Sequence, residues 1–395
     1  MPGVLDGIRV LDLSRVVAGP TCAMILGDLG AEVIKVERPG GGDEVRSWGP
    51  PYAGTESTYY LGLNRNKRSL TLNFKSPAGK EVLSRLAREA DVLIENFKTG
   101  DLDRAGLGYE ALSALNPQLV YCSISGYGRT GPDRSKPGYD FAIQGRGGYM
   151  SITGEPDGPP MKVGLPVIDV LAALNAVVGI LCALRAREVT HKGQLVDVSL
   201  LDAEVSSLVN QGSNWLMGGV IPHRWGNANP NVVPYQAFKA ADGWFNVAVG
   251  NNEQFARLCD ALGAPELAAD PRYASNALRV EHRDTLIPHL HELLAYRTVA
   301  EWLDILCQAG VPADPIQDIS QVFADPQVLA REMLVTMPHP TLGSVRVAGN
   351  AIKLSDNPVT YRRHPPLLGE HTAEILGEIG HTVDEIRVLR SEGVI

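Results

Sequence analysis

The amino-acid sequence predicts an α/β fold, with a doubly wound, mostly parallel sheet in a large domain and a smaller α+β domain beside it. Strand-like and helix-like segments alternate through the first third of the chain, which is typical of parallel β-α-β units. The sequence changes character near Gly218, where a polar loop leads into a predicted β-hairpin. Strand character returns near Pro338. The large domain is therefore expected to comprise residues 1–220 and a returning segment at 336–395, with the small domain at 221–335.

Hydrophobic periodicity places the elements of the large domain. Short alternating or continuous apolar runs indicate strands, and longer apolar or amphipathic runs indicate helices. Pro77 lies in the first turn of one predicted helix, where a missing N–H is tolerated. The predicted strands are 8–13, 32–36, 69–73, 91–95, 119–124 and 194–199, and the predicted helices are 21–29, 77–89, 109–115, 170–184 and 200–217.

The small domain is predicted to begin with a β-hairpin. Its strands, 237–239 and 244–249, are separated by Ala240-Ala241-Asp242-Gly243, a typical turn composition. Three helices should follow, at 253–262, 283–294 and 299–309. In the returning segment we expect a strand at 344–347 and a last helix from Thr372.

Charge and composition exclude several classes of function. The formal net charge of −9 argues against a nucleic-acid partner, because phosphate binding needs a basic surface. The five cysteines have no metal-ligand spacing, so we expect no metal site and interpret them as thiols in a reducing compartment. No secretory signal is found, and the apolar run 170–184 is too short to span a bilayer. We therefore expect a cytoplasmic protein without a membrane partner.

The turn after the first strand does not fit a dinucleotide. The opening of the chain is Rossmann-like, but residues 12–20 lack the G-x-G-x-x-G glycines that let a backbone approach a pyrophosphate. Glu37 at the end of the second strand suits a ribose hydroxyl, whereas Arg38 suits a phosphorylated ribose or a stacked adenine. A P-loop, an H-E-x-x-H motif and a G-x-S-x-G elbow are also missing from the sequence. We expect no nicotinamide cofactor.

Asp169 is the most informative residue of the chain. It stands alone among apolar residues, directly before the predicted buried helix 170–184, and so is expected at the helix N-cap. Backbone N–H groups and the helix dipole should keep its carboxylate ionised there. An ionised carboxylate in an apolar cleft can act as a nucleophile. The alternative is an ordinary capping residue, since Asp is a preferred N-cap.

Separated motifs in a fixed order identify a family. They lie at 10–14 with 18–20, at 29–39, 66–69, 91–97 and 138–140, and end with Asp169. Over essentially the whole chain they resemble the class III CoA-transferases, the formyl-CoA:oxalate and carnitine CoA-transferase type. The resemblance implies that Asp169 is the catalytic nucleophile. It also implies a two-domain subunit and a homodimer whose subunits form two interlocked rings.

Further motifs are similar to the branch that moves CoA between succinate and glutarate or hydroxymethylglutarate. They lie at 46–51, 54–60, 224–226, 233–239, 250–255 and 366–369. The resemblance implies acyl-CoA and a carboxylic acid as substrates, with succinyl-CoA as donor, a dicarboxylate as acceptor and no tightly bound cofactor. The glycine-rich lid of formyl-CoA:oxalate transferases is absent, and Gly250-Asn251-Asn252 stands in its place, which puts oxalate in doubt as the acceptor.

The implied mechanism is covalent. Attack of Asp169 on an acyl thioester gives a mixed acyl–aspartyl anhydride and CoA thiolate, and the thiolate then returns to form aspartyl-CoA, from which the acceptor acid collects the CoA. Each tetrahedral step needs donors for an oxyanion. The resemblance offers Gly250 and the following backbone at Asn251, although a plain turn after a strand explains these residues equally well.

By the same resemblance, CoA lies across loops at strand ends, where ligands bind in open α/β sheets. Each basic residue among these could instead be a solvated surface charge, and Asn96-Phe97 could simply end a strand. Tyr139 could position the thioester or merely pack. The implied CoA-binding residues are Val16, Val17, Arg38, Leu72, Lys75, Asn96, Phe97, Lys98, Arg104, Lys136, Tyr139 and Asp140.

A dicarboxylate has a distal carboxylate, which an arginine can bind bidentately. Arg46 and Arg224 lie in the branch motifs and are the candidates for this contact. For each, the alternative is an ion pair at the surface or between domains.

Two other functions remain open. The same fold hosts 2-methylacyl-CoA racemases, which need a histidine directly before Asp140; Tyr139 occupies that position, and tyrosine is a poor general base near neutral pH. A non-catalytic acyl-CoA-binding protein is the second alternative, against which the presence of Asp169 argues.

Overall fold

A computed structural model describes residues 3–395, which divide into two compact units. The large unit contains the chain up to Tyr149, Lys162–Gly218 and Pro326–Ile395, and the small unit contains Met150–Met161 and Gly219–Asp325. These boundaries differ from the predicted ones because residues 150–161 group with the small unit, where Arg224 donates hydrogen bonds to their backbone carbonyls. The returning segment also begins earlier than predicted, at a helix that starts at Pro326.

The strands are, in chain order, β1 (Arg9–Asp12), β2 (Glu32–Glu37), β3 (Tyr52–Ala53), β4 (Glu56–Ser57), β5 (Lys67–Thr71), β6 (Val92–Glu95), β7 (Val120–Ser125), β8 (Leu195–Ser199), β9 (Tyr235–Lys239), β10 (Trp244–Ala248), β11 (Ala313–Pro315), β12 (Leu334–His339) and β13 (Gly343–Ala348). The helices are α1 (Ala18–Asp28), α2 (Thr58–Leu63), α3 (Pro77–Glu89), α4 (Asp101–Ala105), α5 (Tyr109–Leu115), α6 (Asp140–Arg146), α7 (Tyr149–Ile152), α8 (Val167–Thr190), α9 (Leu200–Ser206), α10 (Val209–Leu216), α11 (Asn252–Ala261), α12 (Pro265–Ala269), α13 (Asn276–Glu281), α14 (Arg283–Leu294), α15 (Val299–Gln308), α16 (Ile319–Val322), α17 (Pro326–Ala330), α18 (Thr372–Glu378) and α19 (Val383–Ser391). Short 3-10 turns lie at Glu44–Ser47 and Pro271–Tyr273.

Within residues 3–395, six parallel strands form the sheet of the large unit, in the order β5-β2-β1-β6-β7-β8. The chain winds outward from β1 in one direction and then in the other, so the crossover direction changes between β1 and β6. Ligands bind at this switch point in doubly wound folds. The predicted α/β class with a large parallel sheet is confirmed.

Alternate residues of the strands pack on opposite faces of the sheet. Val10 and Ile94 belong to a core that α1 and α8 cover, whereas Leu11 and Ile34 belong to a second core that α3 and α18 cover. Because both faces are buried at the inner strands β6 and β7, these two appear in the sequence as mostly apolar runs. The loops at the carboxyl ends of β1, β6 and β7 are left to form the functional site.

Helix α8 is longer than predicted, with 24 residues from Val167 to Thr190. By length and apolar composition alone it could cross a membrane, although the core helix of a soluble protein passes the same test. Its most apolar stretch is 44% buried within the protein. The expectation that this segment is too short to span a bilayer is therefore wrong by length, because the helix begins at Val167 and continues through the charged segment 185–188 to Thr190.

The predicted helix 200–217 is interrupted. Helix α9 ends at Ser206 and α10 begins at Val209, whose φ of 42° is left-handed. A β-branched residue in that conformation breaks the regular helical path. The hydrophobic pattern continues across the break, so periodicity alone could not locate it.

The small unit is built on an antiparallel sheet in the order β11-β10-β9. Strands β9 and β10 form the predicted hairpin, and Phe238 pairs with Phe245 in its register. These two rings pack with Leu286 and Trp302 in the core of this unit. Alternation of buried and exposed residues along β10 reflects a sheet with one face on the core.

Candidate functional site

A cleft with an empty volume of about 850 Å³ lies at the carboxyl edge of the large sheet. Its walls are the loops that follow β1, β6 and β7, together with the first turn of α8. Asp169 is the one carboxylate among the lining residues. The cleft is lined by Arg15, Val16, Val17, Ala18, Asn96, Phe97, Lys98, Thr99, Ile124, Ser125, Gly126, Lys136, Pro137, Gly138, Tyr139, Asp169 and Leu200.

Most of the predicted site residues of the large unit meet at this edge. Those in the cleft itself are Val16, Val17, Asn96, Phe97, Lys98, Lys136, Tyr139 and Asp169. Arg38 and Lys75 line a second cavity, with an empty volume of about 590 Å³. Arg15 and Phe97 line both cavities, so the two are adjacent, and the guanidinium carbon of Arg15 lies 4.9 Å from the centre of the Phe97 ring.

Asp169 is the third residue of α8 and not its N-cap, because the helix begins at Val167. Within residues 3–395, no hydrogen-bond donor reaches its carboxylate. Burial, and then the negative charge of Asp140, raise the pKa of Asp169 to about 7. The expectation that backbone N–H groups hold this carboxylate firmly ionised is therefore wrong.

Asp140 accepts hydrogen bonds from backbone N–H groups at the start of α8, where Asp169 was expected to accept them. Its Oδ2 accepts hydrogen bonds from the backbone N–H groups of Ile168 at 2.8 Å and Asp169 at 3.3 Å. Its Oδ1 accepts from the Gln144 side chain at 2.5 Å. Because the carboxylate is buried and faces α8, these contacts assign its side chain to the helix, contrary to the expected contact with CoA.

The loop after β1 is held in place by side chains from other elements. The backbone N–H and C=O of Arg15 both bond to the Asn96 side chain, at 2.8 and 2.6 Å. The N–H of Val16 donates to Asp43 at 3.1 Å. Val16 has a φ of 69°, a left-handed conformation that is strained for a β-branched residue. Asn96 thus shapes the cleft by fixing this loop, while a direct contact with CoA stays a prediction.

A fully buried cluster of ion pairs contacts the same loop through the Ser14 carbonyl and Asp43. Lys35 bonds to Asp43 at 2.9 Å and to the Ser14 carbonyl at 3.0 Å, and Lys67 bonds to Asp12 at 2.9 Å. Burial is the main reason that the pKa of Lys67 falls to about 8. Buried charges need partners of opposite sign, and each lysine of this cluster has one. The loop after β1 is therefore held by buried ion pairs, and it lacks the glycines of a dinucleotide-binding turn.

Tyr59 was not among the predicted site residues, and it lines neither cavity, although it lies near Asp169. Burial, and then the charges of Asp169 and Asp140, raise the pKa of its phenol, so its ring lies near both carboxylates. The Trp48 ring packs edge-on against Tyr59 at 5.6 Å between ring centres. Both residues fall within the branch motifs, but motif membership alone does not distinguish a site residue from a packing residue. Arg15, which lines the cleft, was missed because it lies between the family motifs at 10–14 and 18–20.

Comparison with known proteins identifies the family. The family described as CoA-transferase family III matches residues 5–372 of this chain. The chain belongs to CoA-transferase family III. This family III transferase is 45% identical to the succinyl-CoA:glutarate CoA-transferase of Homo sapiens over 392 residues. The match covers 99% of this chain and 90% of that protein. It is 41% identical to the acetyl-CoA:oxalate CoA-transferase of Acetobacter aceti, over 95% of the chain and 96% of that protein.

The fold of the transferase is also similar to that of solved structures. The crystal structure of a CAIB/BAIF family protein from Brucella suis superposes with a TM-score of 0.85 at 44% sequence identity. The match covers 96% of this chain and 100% of that chain. The family resemblance inferred from the motifs is confirmed, and with it the use of CoA thioesters as substrates.

Besides Asp140, two of the expected CoA contacts of the transferase lie outside both cavities. The Leu72 side chain is buried in the core that covers one face of the sheet, so only its backbone is available to a ligand. Arg104 is exposed and forms an ion pair with Asp101 on the same helix. The alternative of a solvated surface charge describes Arg104 in this structure.

Arg46 is buried in an ion pair within the large unit. Its Nε and Nη2 donate to Glu37 at 2.7 and 2.8 Å, and Nη2 also donates to the Tyr60 hydroxyl at 2.6 Å. Burial alone would lower the pKa of Arg46, but the bonds with Glu37 raise it above its ordinary value. Arg46 lines neither cavity. The geometry thus favours the structural ion pair that the sequence left as the alternative, against a contact with substrate.

Arg224 lies in the small unit, where its guanidinium bonds to backbone carbonyls. It donates to Glu155 at 3.0 Å and to Gly158 at 2.8 Å. Among residues 3–395, no carboxylate forms an ion pair with it. Its charge is therefore not neutralised by a neighbouring acid, unlike that of Arg46.

Gly250 and Asn251 of the transferase also lie in the small unit, where both contact Gln254. The Gly250 N–H donates to Oε1 of Gln254 at 2.7 Å, and the Asn251 side chain accepts from the Gln254 N–H at 2.9 Å and caps α11. The Gly250 N–H would therefore be free for an oxyanion only after the Gln254 side chain moves away. Asn251 has a structural role as a helix cap.

Proposed function

We propose that this family III transferase moves CoA from succinyl-CoA to a dicarboxylic acid such as glutarate, with Asp169 as the covalent nucleophile. The observation that carries the proposal is the Asp169 carboxylate, which is free of hydrogen bonds within residues 3–395 and lines the cleft at the switch point. Arg15, Lys98 and Lys136 line the same cleft. Arg15 pairs with Glu44 and Lys136 with Asp133, whereas Lys98 has no ion pair within residues 3–395 and offers its charge to a substrate with phosphates and a carboxylate. The name of the human relative supports the choice of substrates.

The proposed reaction begins with attack of an Asp169 oxygen on the thioester carbonyl carbon. The C–S bond breaks, and CoA leaves as the thiolate while a mixed anhydride forms. The thiolate then attacks the aspartyl carbonyl, which releases succinate and leaves an aspartyl-CoA thioester. The acceptor carboxylate attacks that thioester, and the released thiolate attacks the acceptor carbonyl of the new anhydride. The acceptor leaves as its CoA thioester, and the Asp169 carboxylate is regenerated.

The surroundings of Asp169 suit a nucleophile. A carboxylate with few hydrogen bonds and a raised pKa is more basic than an ordinary one, and both forms of Asp169 are present near neutral pH because its pKa is about 7. The Tyr59 phenol lies near the carboxylate and stays protonated, so it is a donor for the oxyanion that forms in each step. We propose this role for Tyr59.

The acceptor is tested with a panel of acids. Purified protein is incubated with succinyl-CoA and glutarate, hydroxymethylglutarate, oxalate or butyrate, and each new CoA thioester is quantified by liquid chromatography. We expect glutarate or hydroxymethylglutarate to give the highest kcat/KM. Oxalate is included because one relative is named for it. Equal activity with butyrate would overturn the dicarboxylate assignment, and no new thioester with any acid would overturn the transferase proposal.

Arg224 is predicted to bind the distal carboxylate of the acceptor. Losing a hydrogen-bonded ion pair of about 1.5–3 kcal/mol should lower kcat/KM roughly tenfold to a hundredfold for glutarate in Arg224→Met. Butyrate has no distal charge, so its kcat/KM should change little. A steady-state assay with both acids, on this variant and the wild type, decides the point. An equal loss for the two acids would assign Arg224 to the backbone of residues 155–158 alone.

The transferase is proposed to be a homodimer, as the family resemblance implies. Leu174 and Val178 on the outer side of α8 are 46% and 60% exposed, and Leu216 and Met217 at the end of α10 are 81% and 82% exposed. Leu174 and Val178 are four residues apart on one face of α8, and we propose that a second copy covers this face and the end of α10. Light scattering during serial dilution should give the mass of a dimer throughout. An active monomer would contradict the interlocked dimer. Recovery of the protein only when lipid vesicles are added would contradict it as well.

A further inference from the structure

We propose that Asp140 is the positioning residue of the nucleophile: its buried carboxylate caps the first turn of α8 from a separate helix and thereby keeps backbone donors away from the Asp169 side chain. The inference concerns the placement of Asp169, and its importance for catalysis rests on the proposed function. It also gives Asp140 a role different from the contact with CoA that the family resemblance implied.

The first turn of α8 needs a cap from elsewhere. The first N–H groups of a helix have no partner within it, and an N-cap side chain usually bonds to them. The N-cap of α8 is Pro166, whose side chain cannot accept a hydrogen bond. The N–H of Val167 donates to the Leu165 carbonyl at 2.8 Å. The N–H groups of the next two residues are left, and both donate to Asp140.

Asp140 is itself fixed by its neighbours. The Gln144 side chain, one turn later on α6, donates to Asp140 Oδ1 at 2.5 Å. The other end of that amide accepts from the Val163 N–H at 2.8 Å, on the segment that leads into α8. Two side chains of α6 therefore hold both the approach to α8 and its first turn. This arrangement sets the direction of the helix and the position of Asp169 in the cleft.

After burial, the charge of Asp140 is the second cause of the raised pKa of Asp169. A carboxylate in the first turn ordinarily gains from the N–H groups and from the positive end of the helix dipole. Here Asp140 takes those donors, and its negative charge opposes a second carboxylate close by. On other elements, Tyr59 of α2 faces both carboxylates and Glu204 of α9 faces Asp140. The cations of the cleft wall are Arg15, Lys98 and Lys136. None of these hydrogen-bonds to the Asp169 carboxylate within residues 3–395.

The test is a titration that does not depend on activity. Protein labelled with carbon-13 at the aspartate carboxyl is titrated by NMR, and the Asp169 signal is assigned by its loss in Asp169→Asn. We expect a pKa near 7 in the wild type. In Asp140→Asn the charge is removed while an oxygen acceptor remains, so the pKa of Asp169 should fall by about 1 or more. An unchanged or higher pKa in Asp140→Asn would overturn the proposal.

Glu204→Gln is the matched control. Glu204 is also a buried carboxylate that accepts a backbone N–H, that of Tyr149 at 2.9 Å. Its charge acts on Asp140, whereas the pKa of Asp169 responds to burial and to Asp140. The Asp169 signal should therefore titrate in this variant as it does in the wild type. A shift as large as that in Asp140→Asn would show a general effect of buried charge and would contradict a specific role for Asp140.

Kinetics separate the positioning role from the proposed function. If both hold, Asp140→Asn lowers kcat with little change in KM, and the pH at which the rate is half-maximal moves down with the titration of Asp169. If the titration shifts but the wild type transfers no CoA, the proposed function fails and the positioning role stands. If the titration of Asp169 is unshifted in Asp140→Asn but the wild type transfers CoA, the positioning role fails and the proposed function stands.

A second measurement keeps the proposal testable if Asp140→Asn does not fold. Ile168 is the second residue of α8, so its N–H has no acceptor within the helix and owes its protection to Asp140. Amide hydrogen exchange of Ile168 in the wild type should be slow compared with the exchange expected for a free N–H group. Fast exchange would contradict the cap. Asp140→Ser, which keeps an oxygen acceptor without charge, serves as the second variant for the titration.

Discussion

Replacing Asp169 with alanine is expected to abolish CoA transfer, with kcat falling on the order of 10³-fold or more, because covalent catalysis loses its nucleophile. No other lining residue of the cleft carries a carboxylate that could take its place. The fold should be retained, since the Asp169 side chain makes no hydrogen bond within residues 3–395 and removal of a poorly stabilised charge does not disturb the helix. Thermal unfolding and circular dichroism of the purified variant check the fold, and an assay with succinyl-CoA and glutarate checks the activity.

Asp202→Ala is the matched control for this variant. Asp202 is likewise the third residue of a helix in the large unit, where its N–H bonds to the Ser199 cap, but its side chain lies outside the cleft. Its kcat should stay close to that of the wild type. Retention of about a tenth of wild-type kcat by Asp169→Ala would rule out the covalent route through this residue.

The Arg46→Met variant is expected to lose stability. The change leaves the Glu37 carboxylate buried without its partner, which typically costs about 3–5 kcal/mol of unfolding free energy. Pairing with Arg46 outweighs burial and lowers the pKa of Glu37, so the stabilisation is present at neutral pH and is lost only as the pH falls through the lowered value. Chemical denaturation at neutral pH measures the loss, and the double variant Glu37→Gln with Arg46→Met should recover most of it.

Arg104→Met provides the comparison, since the Arg104 ion pair is exposed to solvent and contributes little. Any loss of activity in Arg46→Met should be equal for glutarate and butyrate, because the effect comes from the stability of the large unit. A stable Arg46→Met protein that loses activity for glutarate alone would contradict the structural role and restore Arg46 as a substrate contact.

Local signals predicted the regular elements well. Helix α3 begins at Pro77 and ends at Glu89 as predicted, because Ser76 caps it and proline is favoured in the first turn. Strand β6 was recognised because both faces of the sheet are buried there, which makes it a short apolar run. Strand β5 is polar, and its prediction at 69–73 rested on alternation and began two residues late. The break before Val209 was not predicted, since a single left-handed residue leaves the apolar pattern unchanged.

The candidate site was predicted less completely, because its geometry depends on contacts between distant residues. Aspartate is a preferred N-cap, so Asp169 was placed at the start of its helix. The cap is in fact supplied by Asp140, which precedes Ile168 by 28 residues. No local pattern reveals that contact. The partner of Arg46 could not be predicted from local sequence either. Its motif indicates the branch of the family, but it does not reveal that the side chain bonds to the buried Glu37.

The most direct test of the account is the detection of a covalent adduct on Asp169. The protein is mixed with succinyl-CoA without an acceptor, quenched with hydroxylamine and digested, and the peptide that contains Asp169 is examined by mass spectrometry. Because hydroxylamine attacks an activated aspartyl carbonyl, we expect an aspartyl hydroxamate at Asp169, formed only with succinyl-CoA present and missing in Asp169→Asn. An unmodified Asp169 in protein that nonetheless transfers CoA to glutarate would contradict the account.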